Sequence, residues 1–248
     1  MSQDEIKRQE ISDEPSMSFF SRIFGALFFP SKTFPHLNRR PDWLGAMVVI
    51  IIFSLCMSLL YAQKTDLIRI TRQQLEQSGR IDELTEEQRQ RAVEISSKIQ
   101  RYVLLVGAIF FTPLTFLIIA GIMHLIFSLL QAGTTFKKVF SVVSYSYLPM
   151  VFSALIGIIL LLGRKVNVVP IQDLVKSNLS VLLVQEESSK FLWNLASSID
   201  FFSLWSVVLL CIGMTAISKI SLKNSSLIVG SLWIVWVVII AFLRSLTG

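Results

Sequence analysis

An imidazole and a short run of hydroxyls are the side chains of this sequence best placed to do chemistry. His124 falls in the apolar run 102–130 and is the only His, Asp, Glu, Lys or Arg well inside such a run. In the next apolar run, Ser144, Tyr145 and Tyr147 sit within SVVSYSYLP, just before Pro149. If the two runs form a helical hairpin turning near residue 136, equal distances from the turn put His124 opposite Tyr147 and Leu148. Ser144 and Tyr145 are then one helical turn away. A neutral imidazole accepts from or donates to a hydroxyl, and a polar group inside a bilayer is costly without such a partner. The spacing therefore predicts a buried His124–Ser144–Tyr145–Tyr147 cluster, either helix-to-helix glue or part of a substrate path. Ser141, Ser144 and Tyr145 share a face within about 100° at 3.6 residues per turn, while Ser146 and Tyr147 point elsewhere. Hydroxyls that wrap a helix favour glue over a pore-lining stripe.

Catalysis has no comparable signature, and no catalytic, cofactor-binding or metal-binding residues are assigned. The only two histidines, His36 and His124, stand far apart, no glycine-rich phosphate loop occurs, and no paired aspartates lie inside the apolar runs. The serines lack a nucleophile-elbow setting. Cys56 and Cys211 both fall in apolar runs, where thiols are inert packing groups. The chain reads as a non-enzyme.

The elements that must position these residues are membrane helices. The chain is 53% hydrophobic and 16% charged over 248 residues, too little charge to cover a soluble surface. Runs at 43–62, 102–130, 142–163, 201–218 and 226–242 approach the ~20 apolar residues that cross a bilayer. The expected fold is all-α, a bundle of five transmembrane helices forming one membrane domain over 17–248. Residues 1–16 are polar and read as a disordered tail without a cleavable leader. The net charge of +6 is scattered at the ends of runs rather than gathered on a face, so nucleic acid is excluded as a partner. Lipid bilayer and other membrane proteins are the expected partners.

Within 18–29, Phe20, Ile23, Phe24, Leu27 and Phe28 recur on one helical face and Pro30 ends the segment. A dozen residues cannot span, so this helix is expected to lie in the headgroup zone, with Phe20, Phe24 and Phe28 down and Arg22 toward phosphates. Residues 63–101 predict a helical hairpin outside the membrane that extends the first two spans. It turns at SGRID (78–82), and Thr85 and Gln88 spell a capping box. Pieces at 170–184 and 190–198 read as surface helices, and Asp200 as the N-cap of the fourth span. Pro113 and Pro149 predict kinks, as hinges or fixed bends. Gly121, Ala154, Gly157, Gly213 and the Ser226/Gly230 pair allow close helix approach, inside the bundle or at a homo-oligomer seam. Arg39, Arg40, Lys137, Lys138, Lys219 and Lys223 crowd one end of the spans, and Arg164 and Lys165 the other. The balance predicts an N-terminus inside and a C-terminus outside.

FFPSKTFPHLNRRPDWLG, AGTTFKKVFSVVSYSYLPMVFSALIGIILLLG and DFFSLWSVVLLCIGMTAISKIS together resemble the Yip (Ypt-interacting protein) domain family. The pattern is carried by Gly133, Phe136–Lys137–Lys138, Ser144–Tyr145, Leu148–Pro149 and Asp200…Trp205…Gly213, and the resemblance extends over about residues 20–245. It implies five helical spans with a cytosolic N-terminus. In eukaryotes such proteins sit in Golgi and endoplasmic-reticulum membranes and bind Rab GTPases and one another. The short tail is more similar to bacterial members, which places the chain in a cytoplasmic (inner) membrane and leaves no Rab to bind. Two functions follow as expectations: a scaffold that organises membrane proteins or the bilayer, or a small oligomeric transporter or channel. The absence of Asp, Glu, Lys or Arg within the spans favours the scaffold.

Overall fold

The computed structural model describes residues 17–77, 79, 84–163, 165–184 and 187–247. The tail 1–16, Arg164 and all of the expected turn at 78–82 except Gly79 lie outside the described residues. Among the described residues the chain is all-helical, with no strand beyond two isolated bridges. In chain order the α-helices are α1 (Phe19–Phe28), α2 (Pro30–Arg39), α3 (Leu44–Lys64), α4 (Leu67–Gln77), α5 (Glu86–Leu129), α6 (Phe136–Ser146), α7 (Pro149–Leu162), α8 (Lys190–Ser197), α9 (Phe201–Ile217) and α10 (Leu222–Thr247). Four are long and apolar enough to cross a membrane: α3, α5, the joined α6–α7 stretch Phe136–Leu162, and α10. α9 is equally apolar but has 17 residues.

The centre of the bundle is α6, against which α1, α2, α3, α5 and α9 all pack. Every residue from Val139 to Ser146 is buried, as expected of a helix enclosed on all sides. Its approach to α9 depends on Gly213, since a Cβ there would run into Val142 and would stand 3.1 Å from the ring of Phe34. Small residues that let backbones come close are the usual means of packing helices in lipid.

Pro30 does not simply end the first helix; it opens another. A proline at the first helical position loses no bond and has the right φ, so α2 begins with only Phe29 between it and α1. The two lie against each other, with Gly25 meeting the hydroxyl of Thr33. This hairpin does not lie across the end of the bundle. Phe19 touches Gly45 at the start of α3, while Phe28 meets Phe152 of α7 at 6.5 Å and Trp205 of α9 at 6.1 Å. α2 returns along α9, with Phe34 beside Gly213 and the Asn38 amide donating to the Ala216 carbonyl at 3.1 Å. α1 thus runs alongside the bundle helices, and α2 seats a buried face of Thr33, Phe34, His36 and Leu37.

α5 and α6 are joined by a tight turn in which Gln131 (φ 52°) and Gly133 (φ 68°) are left-handed. The Ala132 amide donates to the Phe127 carbonyl at 3.0 Å, a Schellman closure. The Lys219 amide then donates to the Ala132 carbonyl at 3.0 Å, fastening this turn to the one between α9 and α10.

At the opposite end α3 and α4 are separate helices, because the chain at Thr65–Asp66 pairs with Asn167. The Asn167 amide NH donates to the Lys64 carbonyl at 2.8 Å, its carbonyl accepts from the Asp66 amide at 3.0 Å, and its side chain donates to Thr65 Oγ1 and the Val169 carbonyl. α4 packs on the first part of α5, whose start carries the Thr85/Gln88 capping box, Thr85 NH donating to Gln88 Oε1 at 3.0 Å and Gln88 NH to Thr85 Oγ1 at 3.4 Å. The charges here pair along their own helix, as in Arg91–Glu87 and Lys98–Glu94. Residues 170–184 hold two short 3₁₀ turns rather than a surface helix. Asn178 and Asp200, each satisfying its own neighbours, hold that segment bent.

Candidate functional site

Asp42 is the only carboxylate in residues 17–65, a segment with several cations. It stands just ahead of α3, where its Oδ1 accepts from the Leu44 amide at 3.1 Å, a favourable place for a negative charge. Its Oδ2 takes Arg22 of α1 at 3.1 Å and the Tyr145 hydroxyl of α6 at 3.2 Å. Arg22 Nη1 also donates to the Met17 carbonyl at 3.0 Å. One carboxylate thereby ties together the N-terminal hairpin, the first span and the central helix. Arg22 is thus turned inward, against the expectation that it faces phosphates, because a carboxylate within reach offers a charge-assisted bond. The phenylalanine face is left outside: Phe20 is 70%, Phe24 58% and Phe28 54% exposed.

The predicted polar cluster comes apart. His124 lies 3.4 Å from Ser128 Oγ through Nδ1 and meets the Phe136 ring edge-on at 6.0 Å. No hydrogen bond or ring contact among the described residues joins it to Ser144, Tyr145 or Tyr147. The reason is register. The chain turns near Gln131, not near 136, so Tyr147 is brought to Phe116 (4.9 Å between ring centres) and His124 to the first turn of α6. Ser144 Oγ donates to the Phe140 carbonyl and Ser141 Oγ to the Lys137 carbonyl, each at 2.8 Å, the back-bonding that satisfies hydroxyls within one helix. Only Tyr145 bonds across elements.

Of the two prolines, Pro149 marks a break: α6 stops at Ser146 and α7 starts at Pro149. The Tyr145 carbonyl, which loses its usual donor to proline, accepts from the Leu148 amide at 3.3 Å instead. α5 runs through Pro113 unbroken, and Thr115 Oγ1 donates to the Phe111 carbonyl at 2.7 Å.

Beyond that break α3 and α7 stay packed together, with Met57 against Gly157, while α10 stands off from both. A cleft of about 570 Å³ opens between α3 and α7 on one side and α10 on the other. α10 rests on α8 and α9 and faces α3 and α7 across the gap. The deeper walls carry Met57, Tyr147, Met150, Ala154, Trp233 and Val237, with the hydroxyls of Ser54, Ser58 and Ser153 among them. The mouth carries Gln172, Ser177, Asn178, Asp200 and Arg244. Asp200 Oδ1 caps α9 by accepting from the Phe202 amide at 2.9 Å and the Ser203 amide at 3.1 Å. Beside the mouth, burial pushes the Asp173 carboxyl above its ordinary pKa, against the opposing pull of Lys176 and Arg244.

Sequence reasoning missed Asp42 and the cleft. The isolation of Asp42 among cations ahead of the first span was a legible signal. The cleft had none, because Ser54, Ser153 and Trp233 come from distant segments whose facing depends on helix tilt. No group of three or more His, Cys, Asp or Glu side chains is placed to hold a metal among the described residues.

Residues 24–243 match the family model described as Yip1 domain. No curated protein and no solved structure matches the chain.

Proposed function

We propose, from the premise that this chain belongs to the Yip1 domain family, that it is a non-catalytic membrane protein that organises the bilayer and the proteins in it. The observation that carries this reading is the α1–α2 hairpin, held lengthwise in the bundle by Asp42 with its phenylalanines facing outward. The ten residues of α1 extend about 15 Å at 1.5 Å per residue, half of a ~30 Å hydrocarbon layer. A hairpin of that length is a wedge in one leaflet. It widens the bundle there and presents Phe20, Phe24 and Phe28 to acyl chains. Arg22 lies in the first turn of α1, level with the start of α3, where its side chain is only 22% exposed and is paired with Asp42.

Five spans are supported by α9, which packs along α2, α6, α7 and α10 and so crosses with them. The cations at the starts of α3, α6 and α10 support an N-terminus inside and a C-terminus outside, in a bacterial cytoplasmic membrane. Other membrane proteins, including further copies of the chain, are the partners this role implies. The transporter reading draws on the cleft, which is polar at its mouth. It is disfavoured by the contact of Val142, Phe34 and Gly213, which fills the other half of the bundle.

Reconstitution into liposomes separates the readings. The organising role predicts sealed vesicles whose shape changes with protein density, with less change after Phe20→Ser, Phe24→Ser and Phe28→Ser together. Solute flux without shape change or a crosslinked partner would establish transport instead.

A further inference from the structure

We propose that the cleft between α3, α7 and α10 is a binding site for a single phospholipid with a zwitterionic, primary-amine headgroup. The inference rests on the membrane placement of these helices and not on the organising role. At about 570 Å³ the space falls within the ~300–1,000 Å³ of ordinary ligand sites, and three features select the occupant. The walls are mixed, with Met57, Met150, Trp233 and Val237 offering apolar surface to an acyl chain among the hydroxyls of Ser54, Ser58 and Ser153. The gap divides α10 from α3 and α7, so a chain enters from the side, where the bilayer supplies it. The mouth carries both signs of charge: Arg244 and Asp200 both line it, and the charge of Arg244 is felt at Asp173.

Guanidinium is the side chain that best matches a phosphate, through paired donors. Asp200 caps α9 through Oδ1, which leaves Oδ2 to receive an ammonium. A headgroup carrying both charges satisfies both sides of the mouth; one that is only anionic meets the carboxylates unfavourably. Trp236, which also lines the cleft and is 60% exposed on α10, adds an aromatic ring for an acyl chain to pack on. One acyl chain fills the cleft and the second remains in the bilayer.

The test is native mass spectrometry of the full chain extracted from vesicles containing equal parts of phosphatidylethanolamine, phosphatidylglycerol and phosphatidylcholine. The expected result is one retained phosphatidylethanolamine per chain. Ser153→Leu, which fills the cleft, and Arg244→Gln, which removes the phosphate partner, should each lower retention about tenfold or more. Both variants should keep the helical content and melting temperature of the parent. Retention unchanged by Ser153→Leu, preference for phosphatidylglycerol, or no retained lipid in a folded parent would each overturn the proposal. None of these outcomes alters vesicle shape, so failure of the lipid site is distinguishable from failure of the organising role.

Discussion

At the end of the bundle that carries Lys137, Lys138 and Lys219, α6 is enclosed by five helices and the added Cβ of a Gly213 variant would strike Val142. At the other end Ser54, Ser153 and Trp233 line a gap large enough for a ligand. The buried apolar clusters reflect the same division, 24 residues around α6 against six around Met57 and Tyr61. The N-terminal hairpin accounts for much of the difference. It contributes Ala26, Leu27, Phe34 and Leu37 to the larger cluster, and its tip reaches only as far as Phe152 and Trp205. Helices that would otherwise meet lipid are wrapped by protein in one half, whereas in the other α3 and α7 pack on each other and α10 stands off from them. Rigidity and capacity for a ligand therefore occupy opposite halves of one bundle.

If the dense half is as tight as its contacts imply, Gly213→Leu should be the most damaging substitution. It adds a branched side chain where even a Cβ has no room, and overpacking of this severity costs about 3 kcal/mol. Thermal unfolding in detergent should show the loss, and a variant as stable as the parent would remove the contrast altogether. Asp42→Ala comes next, at about 2 kcal/mol, since it strands an arginine and a tyrosine hydroxyl together. The side chains of Arg22 and Asp42 are only 22% and 30% exposed, so solvent does little to soften the change. Limited proteolysis should cut near α1 faster in this variant, whereas unchanged cutting would mean that packing alone holds the hairpin. Tyr145→Phe removes one of the two partners on Asp42 Oδ2 and should cost about 1 kcal/mol, leaving the proteolysis pattern intact.

The contrast also marks what could be read from residues alone. Hydropathy located the four helices long and apolar enough to cross a membrane, because ~20 apolar residues in a row have few other uses. Thr85 with Gln88 and Asp200 announced helix starts, since capping depends on a few neighbouring residues. The hairpin was half legible: the phenylalanine stripe of α1 was visible, but Pro30 has two meanings, helix end or helix start, and only the seat offered by α9 decides between them. His124 was lost to a turn misplaced by about five residues, which is more than one helical turn and enough to exchange every partner across the hairpin. Ser144 shows a different limit. Its type suits interhelical glue, yet the Phe140 carbonyl, one turn back in the same helix, lies within reach and takes the hydrogen bond.

The smallest expected effect is the most discriminating. Ser153→Leu adds apolar bulk comparable to that of Gly213→Leu, on a helix of the same bundle, but into the cleft. Surface-like positions tolerate substitution within about 0.5 kcal/mol, and a side chain entering open space has nothing to displace. The melting temperature of the pure protein in detergent should hardly move. A fall as large as that of Gly213→Leu would mean that α10 closes onto α3 and α7 in solution, leaving no open half to contrast with the dense one. An unchanged melting temperature together with lost lipid would place stability and binding in separate parts of the bundle, since the same substitution would then abolish one without touching the other.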